Sequence, residues 1–144
     1  MSQKSLYYFF LAVILIGLAD SMYLSLTVLL DISPVCGPLH GCETVAASPY
    51  SKLFGVPLAY LGTLYYAAGA VLAPFLLVSH FARILGVLYG GVGTLLSLWF
   101  VYIQAVLIEA FCVYCLISAV ATFAIVGLAV VIWKRGTLVS PPAF

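Results

Sequence analysis

Four cysteines are the residues of this 144-residue chain best able to do chemistry, and their spacing divides them into two groups. Cys36 and Cys42 lie six positions apart, whereas Cys112 and Cys115 form a Cys-x-x-Cys motif. Thiol–disulfide exchange moves electrons when a thiolate can attack a disulfide within its reach. The two groups therefore suggest a dithiol relay, provided that the fold brings them together and supplies an electron acceptor.

The composition indicates where such a relay would operate. Hydrophobic residues make up 66% of the chain and charged residues only 6%, whereas soluble domains have about 45–50% apolar and about 25% charged residues. This excludes a soluble enzyme and a disordered tail. A net charge of +1 also excludes a nucleic-acid binder, which needs many cations to neutralise phosphates. The chain is therefore an integral membrane protein whose solvent is the lipid bilayer.

Four apolar runs are long enough to cross a bilayer as helices, which takes about 20 residues. They cover residues 6–30, 56–78, 84–108 and 111–133. The predicted fold is an all-α integral membrane protein with one domain, 1–144. Its four transmembrane helices form a bundle, and an outer loop, 31–54, carries a short helix at 43–47. A cleaved signal peptide is an alternative for the N-terminus, but the apolar run continues to Leu30, which favours a spanning helix.

The cations predict the orientation, because cytoplasmic loops carry an excess of Lys and Arg. Four of the five cations fall on one side of the predicted spans: Lys4, Arg83, Lys134 and Arg135. Both termini of this multi-pass protein are then cytoplasmic, and the loop 31–54 and a turn at Glu109 lie outside the cell membrane. All four cysteines are thereby placed on the extracytoplasmic side, where disulfides can form.

The Cys-x-x-Cys motif begins the fourth predicted span. Residues three apart share a helix face, and the free amides at a helix N-terminus favour the reactive thiolate form. A dithiol at the membrane edge can meet a lipid-soluble acceptor, for which a quinone is the obvious candidate. Phe111 and Tyr114 are then candidates for contact with the quinone.

Three titratable residues are candidates for moving protons or tuning thiols. Asp20 lies within the first span, where a carboxylate is costly and often functional; it either relays a proton to the quinone or faces a polar bundle interior. His40 lies between the loop cysteines and either tunes a thiol or is a solvated loop residue. Glu109 is interpreted as a helix-start carboxylate, favoured by the helix dipole, with tuning of Cys112 as the alternative.

Two interpretations without a relay stay open. One is a non-catalytic tetraspan protein whose two disulfides are structural. The other is a zinc site of four thiolates, which an oxidising compartment disfavours.

Further residues strengthen the relay interpretation because they occur in a familiar order. They are Cys36, Cys42, Glu43, Val45, Ser48, the Phe54-Gly55-Val56-Pro57 run, Gly62, Cys112 and Cys115. In this order the chain resembles the vitamin K epoxide reductase family, specifically its microbial thiol-oxidising homologues, from about Gly17 to beyond Cys115.

The resemblance implies a four-helix bundle around a quinone of the ubiquinone, menaquinone or vitamin K type. Cys112 and Cys115 would be the active-site pair, with Cys115 nearest the quinone. Cys36 and Cys42 would be a shuttle pair that carries electrons from a thioredoxin-like thiol oxidase. Ser48 would support the redox site by hydrogen bonding. The activity implied is a quinone-dependent protein-disulfide oxidoreductase that supports disulfide formation in exported proteins.

Two features depart from parts of the family. Leu58 and Ala119 occupy positions where vertebrate members carry a polar Asn and a Tyr near the quinone. Vitamin K epoxide reduction in the strict sense is therefore kept only as an alternative. Many bacterial members carry a fused thioredoxin-like domain, whereas this sequence ends at Phe144, so the thioredoxin-like partner is expected to be a separate protein on the outer face.

Overall fold

Four long helices form the body of the protein in a computed structural model that describes residues 2–136. They are α1 (Gln3–Leu29), α3 (Leu58–Leu72), α4 (His80–Ile103) and α5 (Val113–Arg135), with a short α2 (Cys42–Ala47) between the first two. Four helical segments, Gln3–Leu29, Leu58–Leu77, His80–Ile108 and Val113–Arg135, are long and apolar enough to cross a membrane. The predicted all-α membrane bundle is confirmed.

The segment between α1 and α3 is built from short elements. After α2 come a 3₁₀ turn, Pro49–Ser51, and two short antiparallel strands, β1 (Lys52–Leu53) and β2 (Val56–Pro57). The short helix predicted within this loop is confirmed, and it begins at Cys42 rather than at residue 43.

The helices pack unevenly. α4 packs extensively on α5, and α1 packs on both α3 and α5. The backbones of α3 and α4 approach each other at few points, and Tyr65 and Tyr89 join these two helices through stacked rings and hydrogen bonds to each other's carbonyls. The α4–α5 contact is close because Gly90 has no side chain: a Cβ there would lie 2.8 Å from the Cα of Val126.

Two of the predicted spans are not continuous α-helices. α3 ends at Leu72 and continues as a 3₁₀ segment, Ala73–Leu77. Pro74 lies in this segment, and proline removes an amide donor and clashes with the preceding helical turn. α4 ends at Ile103 and continues as a π-helical segment, Gln104–Ile108.

The turn before α5 corrects the interpretation of Glu109. This residue has a left-handed backbone, with φ 56°, and its N–H bonds to the carbonyl of Gln104. α5 begins only at Val113, so Glu109 ends the preceding segment and is not a helix-start carboxylate. The chain turns between Glu109 and α5 because the Ala110 N–H also donates to the Gln104 carbonyl, at 3.1 Å.

The sequence predicted that Arg83 lies between two spans, and this prediction is wrong. It is the fourth residue of α4, and its side chain is buried, with 1% exposure. Its Nε donates to the carbonyl of Leu76 at 2.8 Å, and its Nη2 donates to that of Leu77 at 3.4 Å. The guanidinium thus satisfies carbonyls that the end of the 3₁₀ segment leaves without a helical partner.

Candidate active site

All four cysteines lie at one end of the bundle. α1 ends and α3 begins at this end, and the turn from α4 to α5 lies there too. Cys36 belongs to the segment after α1, Cys42 begins α2, and Cys112 is the N-cap residue of α5. Two stretches that are distant in sequence are thereby brought to the same edge of the helices.

The loop pair forms a disulfide. Cys36 and Cys42 are bonded, with their Cα atoms 5.6 Å apart, and the Cys42 N–H donates to the Cys36 sulfur at 3.1 Å. Cys42 is almost completely buried, with 1% exposure, whereas Cys36 is half-buried. Of the two sulfur-bearing side chains, Cys36 is therefore the more accessible to another protein.

The loop is docked directly on the start of α5. Gly41 lies so close to the Phe111 backbone that an added Cβ would overlap its carbonyl oxygen. Gly41 and Phe111 immediately precede Cys42 and Cys112. This close backbone approach brings the backbones of Cys42 and Cys112, one cysteine from each pair, near each other.

Two tyrosines hold the other end of the loop. The Tyr114 hydroxyl donates to the carbonyl of Val35 at 2.7 Å, and the Val35 N–H donates to the Tyr23 hydroxyl at 3.0 Å. The two rings lie 5.0 Å apart. Residue Val35 directly precedes Cys36, so α1 and α5 together position the accessible cysteine.

The Cys-x-x-Cys pair is in the free dithiol form. A hydrogen bond from the Cys115 thiol, together with the backbone N–H groups of Cys115 and Tyr114, lowers the pKa of Cys112 to about 6, against the opposing effect of burial. Because this pKa is below neutrality, Cys112 is mainly a thiolate at pH 7, which is the form that exchanges with disulfides.

A cavity of about 210 Å³ opens between the helices beside this dithiol. Five residues predicted from the sequence line it: Asp20, Ser48, Leu58, Tyr114 and Cys115. Most other lining side chains are apolar, among them Leu24, Leu61, Leu96, Phe100 and Ile103. An apolar cavity with a few polar groups is the usual form of a small-molecule site, and here a sulfur atom is part of its wall.

Four predicted residues lie outside the lining of the cavity. Phe111 precedes α5 and is 39% exposed, while Ala119 is buried within α5. His40 is an exposed loop residue with φ 48°, and Glu109 is an exposed turn residue. The structure therefore does not bring these four together with Cys115 around the cavity.

The polar groups of the cavity include an unpaired carboxyl oxygen. Among residues 2–136, the Oδ2 atom of Asp20 is the buried side-chain oxygen or nitrogen that lacks a hydrogen-bond partner. Tyr66 and Ser118, which line the same cavity, hydrogen-bond to each other through their hydroxyls at 2.8 Å. A polar group of a ligand in the cavity could therefore hydrogen-bond to Oδ2 of Asp20.

Gln104 is a site residue that the sequence reasoning missed. Its side chain is buried, with 2% exposure, and its Oε1 accepts the Cys112 N–H at 2.9 Å. It also lines the cavity. The available signal was an amide side chain within an otherwise apolar predicted span, 84–108, which is costly unless it is hydrogen-bonded.

The described part of the chain also bears on the zinc alternative. Between residues 2 and 136, no three His, Cys, Asp or Glu side chains are grouped so that they could hold a metal ion. Two of the four sulfurs that such a site needs are bonded to each other.

Four membrane-length helices, a docked disulfide and a dithiol in the wall of an apolar cavity are together the features of a membrane oxidoreductase. Comparison with family models gives the same class: residues 8–130 match the vitamin K epoxide reductase family, and the chain belongs to that family. Comparison with curated proteins finds no match. Family membership indicates a membrane thiol oxidoreductase, since these enzymes act on thiols and quinones in general.

Proposed function

We propose that this protein is a quinone-dependent protein thiol oxidase. It takes two electrons from the dithiol of a separate thioredoxin-like protein and passes them through two cysteine pairs to a quinone. The overall reaction converts partner dithiol and quinone into partner disulfide and quinol. The observation that carries the proposal is that Cys115 lines the cavity while the backbones of Gly41 and Phe111, the residues before Cys42 and Cys112, are in contact.

The cavity fits a quinone head group in its chemistry. Apolar side chains such as Leu58 and Phe100 would hold the ring. The hydroxyls of Ser48 and Tyr66 already donate to the carbonyls of Val45 and Ser118, which leaves the unpaired Oδ2 of Asp20, when protonated, to donate to a quinone oxygen. A bound quinone supplies an acceptor for two electrons and two protons.

The first exchange occurs at the loop. A partner thiolate attacks the Cys36 sulfur, breaking the Cys36–Cys42 bond and forming a mixed disulfide with Cys36. Cys42 leaves as a thiolate. The partner's second thiol then breaks the mixed disulfide, so the partner leaves oxidised and Cys36 is left reduced. The greater accessibility of Cys36 supports this order of attack.

The second exchange passes the electrons inward. The Cys42 thiolate attacks Cys112 of a Cys112–Cys115 disulfide, and Cys115 leaves. Cys36 then attacks Cys42, which restores the loop disulfide and releases Cys112. A thiol of low pKa leaves readily, so the lowered pKa of Cys112 favours this release. The resulting pairing, with the loop oxidised and the second pair reduced, is the one that the structure holds.

Electron transfer to a bound quinone would rejoin Cys112 and Cys115 as a disulfide and release the proton of the Cys115 thiol. Asp20 is proposed to deliver, within the cavity, the second proton that the quinol takes up. Its buried, unpaired Oδ2 supports this role. Asp20→Asn keeps the size of the side chain but removes the proton, so quinone reduction should slow by about tenfold or more and lose part of its pH dependence. Reduction of the loop disulfide by dithiothreitol should be unchanged. Equal quinone reduction by both proteins from pH 5 to pH 9 would remove Asp20 from the mechanism.

The physiological role proposed is disulfide formation in exported proteins, with both termini in the cytoplasm and the cysteines on the extracytoplasmic side of the cell membrane. The cations near the far end of the bundle support this orientation. Lys134 and Arg135 lie in the last turn of α5, and Arg83 lies in the first turn of α4.

The test uses purified protein in nanodiscs, reduced thioredoxin as the thiol donor and ubiquinone, menaquinone or vitamin K epoxide as alternative acceptors. Quinol formation is followed by absorbance. The proposal expects Cys112→Ala and Cys115→Ala to abolish quinone reduction with any donor. Cys36→Ala should abolish it with thioredoxin but retain it with dithiothreitol, which can reach the inner pair directly.

The matched control is Ser5→Ala, an exposed substitution at the opposite end of the bundle, which should behave as wild type. Quinone reduction that survives Cys115→Ala would refute the relay. Wild-type protein whose disulfides resist mild reductant and ignore quinone would identify a scaffold with structural disulfides. Reduction of vitamin K epoxide without reduction of ubiquinone or menaquinone would identify a vitamin K epoxide reductase in the strict sense.

A further inference from the structure

The side chain of Gln104 occupies an unusual position for an amide in a membrane helix. It lies at the start of the π-helical segment Gln104–Ile108, immediately after α4. It is buried, with 2% exposure, and such a group is retained at low cost only when its hydrogen-bonding capacity is used.

Gln104 joins the end of α4 to the start of α5 through two different groups. Its backbone carbonyl accepts the N–H of Ala110 at 3.1 Å and also that of Glu109. Its side-chain Oε1 accepts the N–H of Cys112 at 2.9 Å. Residue 104 therefore fixes both the turn and the backbone of the first cysteine that follows it.

The other half of the same amide faces the second cysteine. Once Oε1 is occupied by Cys112, the Nε2 group is a donor only, and the Gln104 side chain is near enough to the Cys115 sulfur to favour its charged form. Gln104 and Cys115 both line the cavity. One neutral side chain thus binds the backbone of Cys112 and shares the cavity wall with Cys115.

We propose that Gln104 is a positioning residue of the redox centre, whose amide holds Cys112 by its backbone and donates to the Cys115 sulfur when that sulfur carries negative charge. This inference deepens, and rests on, the proposed thiol oxidase function. A neutral donor is suited to the task because a carboxylate in its place would repel the thiolate, and an apolar side chain would leave the Cys112 N–H without a partner.

The first test replaces the amide by an apolar side chain of similar length. Gln104→Met removes both hydrogen bonds. In fully reduced protein mixed with ubiquinone, the first turnover should be at least about tenfold slower than in wild type, because hydrogen bonds to charged groups are among the strong ones. The control is Gln3→Met, the same chemical change at the other glutamine of the chain, near the opposite end of the bundle. It should leave the rate unchanged.

A second variant separates positioning from a merely structural role. Gln104→Glu can accept from Cys112 and donate to Cys115 when its carboxyl is protonated, but it repels a thiolate when ionised. The rate ratio of Gln104→Glu to wild type should therefore rise by about tenfold or more as the pH falls from 8 to 5. The ratio for Gln104→Met should stay low throughout. A flat ratio for Gln104→Glu would overturn the inference.

A third measurement needs no quinone. In a Cys112→Ser background, iodoacetamide alkylation of Cys115 reports its thiolate directly, and adding Gln104→Met should slow the alkylation by about tenfold at pH 8. Equal alkylation rates would overturn the inference even if the wild type proves inactive with every quinone. Conversely, if wild type reduces quinone and Gln104→Met does so at the same rate, the role of Gln104 is refuted and the proposed function stays intact.

Discussion

Cys112 shows how a residue's surroundings set its chemistry. The Cys115 thiol, and after it the backbone N–H groups of Cys115 and Tyr114 at the start of α5, favour the charged sulfur, so that the pKa of Cys112 falls to about 6 despite burial. A model thiol with a pKa of about 8.5 is mostly protonated at neutral pH. The difference makes Cys112 both a ready nucleophile and a good leaving group.

The pH dependence of alkylation tests this environment. Because the pKa is lowered, Cys112 in reduced protein should remain a thiolate down to pH values near 6, and its alkylation rate should change little between pH 7 and pH 8.5. Below the pKa the rate should fall by about tenfold per pH unit. Site-resolved mass spectrometry after brief iodoacetamide treatment measures the alkylation rate of Cys112 at each pH.

Two substitutions of the neighbouring cysteine serve as a matched pair. Cys115→Ser keeps a hydroxyl donor, whereas Cys115→Ala removes the donor and should move the midpoint for Cys112 upward, toward about 8.5. A midpoint near 8.5 in the unsubstituted protein would show that the hydrogen bond does not stabilise the thiolate.

Residue chemistry was predictable where it depends on residue type and sequence spacing. The Cys-x-x-Cys motif and the carboxyl group of Asp20 stand out from an apolar sequence. Glu109 was misassigned because its left-handed conformation depends on the Gln104 carbonyl capturing two amides. The amide of Gln104 stood out in an apolar span, but its role was missed because its partner, the Cys112 N–H, is a backbone group that the residue pattern does not reveal.

At the scale of elements, the loop between α1 and α3 is positioned by contacts at both of its ends. Tyr23 and Tyr114 hold Val35, and Gly41 lies on the backbone of Phe111. These contacts come from α1 and from the start of α5. The disulfide loop is therefore fixed on the redox pair by the same helices that enclose the cavity.

The close approach at Gly41 provides a prediction at this scale. Gly41→Ala would push a methyl group into the Phe111 carbonyl, and because that atom is backbone the loop must move. We expect a loss of about 1–3 kcal/mol in unfolding free energy. Thioredoxin-driven turnover should fall more than dithiothreitol-driven turnover, since only the former needs the loop cysteines beside the inner pair.

Gly37→Ala is the matched control in the same loop, because nothing lies within 4 Å of a Cβ there. Its stability should change by no more than about 0.5 kcal/mol. Thermal unfolding in nanodiscs and the two turnover assays measure both variants. If Gly41→Ala and Gly37→Ala behave alike, the docking of the loop does not depend on this contact.

The elements themselves were predictable to different degrees. Apolar length specifies the four spans, since a helix must satisfy its backbone across the hydrocarbon core. The local structure at the ends of the second and third spans could not be predicted from apolar length. The 3₁₀ segment at Ala73–Leu77 follows from Pro74, but the π-helical segment at Gln104–Ile108 depends on hydrogen bonds that form only once α5 is in place.

At the scale of the whole molecule, the antiparallel order of the helices determines where the chemistry can occur. It places the loop and the α4–α5 turn at one end, and the start of α1, the end of α5 and the α3–α4 turn at the other, where Gln3 and Gly136 meet. Two cysteine pairs separated by about half of the chain are thus made neighbours by topology.

Labelling from one side of the membrane tests the proposed orientation. In intact spheroplasts, a maleimide that cannot cross the bilayer should label Cys36 after mild reduction from the outside. A cysteine introduced at exposed Ser5, in a Cys36→Ser background, should react only after the membrane is opened. Outside labelling of residue 5 in intact cells would reverse the orientation.

The most direct test of the account is a trapped disulfide between the two pairs. In Cys36→Ser/Cys115→Ser, only Cys42 and Cys112 remain, and mild oxidation should join them because the residues before them, Gly41 and Phe111, are in contact. Proteolysis and mass spectrometry should find the 42–112 link in most molecules. The control, Cys36→Ser/Cys112→Ser, should give far less of a 42–115 link. Free thiols at both positions of the first variant, or preferential 42–115 linkage, would contradict electron transfer from the loop to Cys112.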